Sequence, residues 1–142
     1  MDRLDRIADR IDALLDRIEP LLPARPRDVD WTQTTAARWI PQAGGGGLEP
    51  VAHPHPVRLD TLRHIDRARD AAERNTRQFI AGLPANNLLL SGARGTGKSS
   101  LIKALLNEYA ADGLRLIEVQ PDDLVALPRI IAAIQGRPEW FI

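Results

Sequence analysis

The segment Gly92-Ala93-Arg94-Gly95-Thr96-Gly97-Lys98-Ser99 constrains this chain more than any other. It fits the pattern of glycine, four residues, glycine, lysine, then serine or threonine. Glycines at 92, 95 and 97 let the backbone take positive φ and come close to a phosphate. Successive backbone N–H groups then point inward as an anion-binding nest. A helix that starts at such a loop adds unpaired N–H groups and the positive end of its dipole. In this pattern Lys98 reaches the terminal phosphates and Ser99 offers its hydroxyl to Mg²⁺.

The context fits the pattern. Asn87-Leu88-Leu89-Leu90-Ser91 is a short apolar run that reads as a buried strand. Residues 98–111 read as a helix with Leu101, Ile102, Leu105 and Leu106 on one side, and Gly113 stops it. Only Lys98 and Lys103 among the 19 basic residues are lysines; the rest are arginines. Lysine therefore stands where the loop needs it, and arginine is not interchangeable there. The competing reading, a glycine-rich turn without a ligand, accounts for neither the setting nor the lysine. The nucleotide-binding set is Gly92, Ala93, Arg94, Gly95, Thr96, Gly97, Lys98, Ser99 and Ser100, with Lys98 as the catalytic cation. Spacing selects Ser99 over Ser100 as the metal ligand, and Arg94 and Thr96 fill the loop.

The rest of the chain divides by composition. Residues 1–19 read as an amphipathic helix, with Leu4, Ile7, Ile11, Leu14 and Ile18 on one face and Asp and Arg on the other. Such a helix docks on a partner or packs on its own domain, and it is too short to claim a stable coiled coil. Residues 20–57 hold seven of the 11 prolines and the run Gly44–Gly47, which is linker composition. Trp31 and Trp39 inside it read as anchors onto a neighbouring surface. His53 and His55 form a His-x-His pair without a third ligand type nearby, and read as linker residues.

The remainder, 58–142, reads as part of an α/β domain. Residues 59–81 carry a helical stripe of Leu62, Ile65, Ala68, Ala72, Phe79 and Ile80, closed by Gly82 and Pro84. Leu114–Val119 reads as a second strand, followed by a short helix with Leu127, Ile130, Ile131 and Ile134 on one face. Trp140-Phe141-Ile142 reads as the start of a third strand.

Composition excludes several classes. Acidic and basic residues are equal at 19 each, so nothing global points to nucleic acid. There are no cysteines, which rules out disulfides and thiolate metal sites within the chain and fits a reducing cytoplasm. No apolar run approaches the roughly 20 residues of a membrane span. The excess of arginine and alanine reads as the product of a GC-rich bacterial genome.

The stretch from Leu83 through the loop to Leu101 resembles the nucleotide-binding region of an uncharacterised bacterial group of ATP-binding proteins in the AAA+ class. Leu114–Val119, Asp122–Pro128 and Asn75-Thr76 before Phe79 resemble its continuation, so the likeness runs from about Leu59 to Ile142. It implies the N-terminal part of a P-loop NTPase, AAA+-like, with a parallel three-layer sandwich. It implies ATP and Mg²⁺ as cofactors, a protein partner or homo-oligomer, and ATP hydrolysis coupled to remodelling. It also implies that Leu62 and Ile65 line the adenine pocket, although core packing explains both equally well. The acidic Walker B pair, the sensor, the arginine finger and the helical lid of that class lie beyond what these residues supply. Asp122 and Asp123 follow the second strand, where they read as helix-capping residues.

Two alternatives stand beside the ATPase: a nucleotide-binding fragment that hydrolyses nothing, and a P-loop small-molecule kinase. AAA+ sheets have the strand order 5-1-4-3-2, so the first and second strands are not neighbours. A parallel sheet lacking its middle cannot bury both faces. The 142-residue chain is therefore expected to be marginal alone, and a single protease-resistant core over 59–142 would contradict this.

Overall fold

The computed structural model describes residues 3–18, 28–42, 44–52 and 56–142. The first part of the expected linker and the His53/His55 pair lie outside them. Helix α1 spans Arg3–Ile18, strand β1 Ala36–Ile40 and strand β2 Gly47–Pro50. A 3₁₀ turn at Leu59–Thr61 precedes helix α2, Asp66–Ile80, and helix α3 covers Lys98–Tyr109. Strand β3, Leu114–Glu118, leads through a 3₁₀ segment, Pro121–Ala126, to helix α4, Leu127–Ile134, and strand β4, Trp140–Phe141.

The four strands form one sheet in the order β2-β1-β3-β4. β1 and β2 are an antiparallel hairpin, whereas β1–β3 and β3–β4 run parallel. The alternation of side chains along a strand sorts the core. Ala36, Leu116 and Trp140 belong to a cluster with α2 and α3 that includes Ala72, Leu101, Leu105 and Leu106. Their neighbours Ala37, Ile117 and Phe141 belong to a second cluster with Val29, Trp31 and Ile134 of α4. The result is a mixed α/β sandwich with helices on both faces of a mostly parallel sheet.

The expected linker is corrected here. Ala36–Ile40 and Gly47–Pro50 pair as the hairpin, and Trp31 and Trp39 are 2% and 3% exposed. The proline and glycine content that suggested a tether has local roles. Pro50 sits on edge strand β2, where a missing donor is tolerated. Gly46 has φ +101°, and a Cβ there would lie 2.5 Å from the Trp39 ring and 2.8 Å from the Ile40 carbonyl oxygen. The turn closes over the indole only because position 46 lacks a side chain. Register with β3 is held by Arg38, whose Nε and guanidinium NH2 group donate to Glu118 at 3.2 and 2.9 Å. Arg115 Nε donates to the Trp31 carbonyl at 3.0 Å and ties the segment before β1 to β3.

Three more expectations change. The helix expected over 59–81 is split, because His64 has φ +63° and turns the chain between the 3₁₀ turn and α2. The apolar run 87–91 forms no strand, and Leu89 is 91% exposed. Its facing side is an open cleft rather than another strand, so its backbone has no ladder to join. Asp122 and Asp123 lie in the first turn of the 3₁₀ segment without a side-chain cap hydrogen bond.

Candidate functional site

The glycine-rich loop connects the exposed run 87–91 to the start of α3. Gly92, Gly95 and Gly97 have φ of +142°, +85° and +89°. Each lies in the region that a side chain makes costly, so the three glycines stand where the loop bends. Gly97 is the left-handed residue immediately before α3, and its carbonyl accepts the helix hydrogen bond from Leu101 N at 2.9 Å. The helix thus opens at Lys98, and its first amides face the loop.

Lys98 occupies the centre. Its Nζ donates to the carbonyl oxygens of Gly92 and Ala93, both at 2.7 Å, with Thr96 Oγ1 at 3.4 Å. Thr96 Oγ1 in turn donates to the Ala93 carbonyl at 2.8 Å. The loop is therefore wrapped around an ammonium that satisfies its carbonyls. Ser99, the next residue along α3, is exposed, and Ser100 is half-buried. A Cβ built at Gly95 meets nothing within 4 Å, so the crest of the loop is open.

Two hollows flank this loop. A cleft of about 760 Å³ has Lys98 and Ser99 on its lining with Leu88, Leu90, Ile117 and Phe141, and so lies between the run 87–91 and β4. A smaller pocket is lined by Ile65 and Ala68 of the α2 entry together with Leu90, Gly92, Gly97 and Lys98. Ile65 Cδ1 is 3.9 Å from where a Gly97 Cβ would stand. Both residues assigned to a base pocket pack against the α2–α3 core cluster, and Ile65 also adjoins the loop and lines the smaller pocket.

The run that feeds the loop is held by a side chain instead of a strand. Asn75 of α2 donates from Nδ2 to the Asn86 carbonyl at 2.7 Å, and its Oδ1 accepts from the Asn86 amide at 2.9 Å. This pair imitates one rung of a β-ladder. Two helical turns of α2 and α3 are joined nearby: Arg77 Nε donates to Tyr109 Oη at 2.7 Å, and Tyr109 Oη donates to Glu73 Oε1 at 2.8 Å. Burial pushes the Tyr109 phenol above its ordinary value, with the Glu73 carboxylate acting in the same direction and Arg77 against it. The phenol consequently stays protonated and able to donate. Spacing alone did not single out Asn75.

Among the described residues no group of three or more His, Cys, Asp or Glu side chains is placed to hold a metal. No helix among them is long and apolar enough to cross a membrane.

These features define an α/β chain with a glycine-rich loop closing on a lysine at a helix N-terminus. Residues 32–142, more than half of the chain, match the family described as "Protein of unknown function (DUF815)", and the chain belongs to that family. Its matched region includes the hairpin as well as the loop. Comparison with curated proteins and with solved structures finds no match.

Proposed function

We propose that this chain binds ATP with Mg²⁺ through the loop Gly92–Ser99, as the nucleotide-holding part of an AAA+-type ATPase. One observation carries the reading: three glycines at positive φ bring the loop around Lys98 Nζ at the first residue of a helix. That arrangement suits a polyphosphate. The open crest at Gly95 leaves room for it, and the α3 amides and the Lys98 ammonium supply donors and charge. Lys98 would exchange two loop carbonyls for phosphate oxygens, which are stronger partners for a cation. Ser99 would hold Mg²⁺ through its hydroxyl, and the ion would neutralise charge on the terminal phosphates. The apolar pocket beside Ile65 and Ala68 suits a base more than a sugar or phosphate.

Titration of the chain with a fluorescent ATP analogue in Mg²⁺ tests this. Lys98→Ala is expected to weaken binding at least about tenfold, the scale of one lost charge-assisted contact pair. Ser99→Ala is expected to abolish most of the Mg²⁺ dependence. Equal binding by wild type and Lys98→Ala would sink the proposal. Phosphate release without an acceptor favours the ATPase, transfer to an added acceptor favours a kinase, and binding without either favours a non-hydrolysing module.

A further inference from the structure

We infer that α1, too short for a stable coiled coil, is a weak and reversible self-association element that pairs in parallel with the α1 of a second copy of this chain. The inference is independent of the nucleotide reading and concerns a region outside the family match. Ile7, Ile11, Leu14 and Ile18 are separated by four, three and four residues, and all are about half exposed. Leu15, 57% exposed, widens the same stripe. Among the described residues none of α1 belongs to either core cluster. A stripe of this kind on a water-facing helix gains its stability from burial against another apolar surface.

Charge identifies the occupant and its direction. Arg3–Ile18 contains four Asp and four Arg, so two copies meet without net repulsion. Arg10 and Arg17, seven apart, lie along one flank of the stripe. Ala8 and Leu15, also seven apart, lie along the other, with Asp12 next outward from them. In a parallel pair the arginine flank of one helix lies over the Ala8/Leu15 flank of its partner. The arginine stems then cover apolar surface, and the guanidinium of Arg10 comes within reach of the partner's Asp12. In an antiparallel pair the two arginine flanks face each other and like charges oppose association.

Sedimentation of the full chain at tens of micromolar is expected to show reversible self-association. Ile11→Asp should return it to monomer with its tryptophan fluorescence unchanged, since position 11 lies outside both cores. Arg10→Asp should weaken association several-fold, and the double variant Arg10→Asp/Asp12→Arg should restore it. The chain has no native cysteine, so Ile18→Cys reads direction cleanly. Parallel helices bring the two thiols into disulfide range, whereas antiparallel helices hold them about 20 Å or more apart. Rapid covalent dimer formation by Ile18→Cys supports the inference. A monomeric wild type, association that survives Ile11→Asp, or absence of the Ile18→Cys cross-link would each overturn it.

Discussion

Residues 36–50 and residues 87–91 exchange the places that their composition suggests. The first segment carries Pro41, the run Gly44–Gly47 and Pro50, and its two ends become strands of the sheet. The second is Asn-Leu-Leu-Leu-Ser and stands in solvent, with Leu89 almost fully exposed. The difference lies in what each segment has beside it. β1 has β2 on one side and β3 on the other, so its backbone groups are paired and its alternate side chains reach two cores. The run 87–91 is anchored only at the preceding residue, Asn86, by the Asn75 side chain, and it borders a cleft. Hydrophobicity makes a segment fit to be a strand, and neighbouring backbone makes it one.

Substitutions sharpen this comparison. The largest effect is expected for Trp39→Ala, which empties a buried aromatic site and should cost about 3–5 kcal/mol in denaturant unfolding. A cost below about 1 kcal/mol would return residues 36–50 to the status of a tether. Gly46→Val should follow, because the new side chain collides with Trp39 and Ile40 and the backbone must hold a positive φ. A loss of about 2–4 kcal/mol is expected on the scale of overpacking plus backbone strain. Asn75→Ala removes two hydrogen bonds to residue 86 and should cost about 1–2 kcal/mol. It should also raise hydrogen exchange at residues 86–91. Unchanged exchange there would show that the amide clamp is not what holds the run. Leu89→Ser should change stability by less than about 0.5 kcal/mol, as for other exposed positions. A larger loss would mean that the run is buried in solution and would break the contrast.

The smallest expected effect is on pH. The Thr32 hydroxyl and amide hold the Asp30 carboxyl below its usual 3.8 at the turn before β1. A depressed folded value means that this contribution is complete above pH 3.8 and fades as pH falls through the lower folded value. Asp30→Asn should therefore lower stability slightly near neutrality, leave it unchanged at the acid extreme, and so flatten the acid limb in denaturant unfolding followed against pH.

The sequence displayed the glycine loop, α3, β3, α4 and the start of β4 because each has a local signature: glycine spacing, helical periodicity or a bounded apolar run. It displayed the hairpin only through Trp31 and Trp39, whose size implied an anchor while the surrounding prolines implied a tether. The split at His64 was hidden, since a left-handed histidine has no reliable local mark and the apolar stripe continues across it. Leu62 and Ile65 could not be told apart by spacing. Both pack on the α2–α3 cluster, and only Ile65, just after the turn at His64, also reaches the loop. The clamp between Asn75 and Asn86 depends on two elements meeting, which no single window contains.

The division of side chains across the sheet also has an optical consequence. Trp140 lies on the α2–α3 side, with its ring edge-to-face with Phe79 at 5.3 Å, and Trp31 lies on the α4 side against Phe141 at 4.8 Å. Trp39 reports on the hairpin, and the chain has three tryptophans in all. Replacing two of them by phenylalanine leaves a single emitter on a chosen side of the sheet. The two faces of this small sandwich can therefore be watched separately as they melt, with no dye attached.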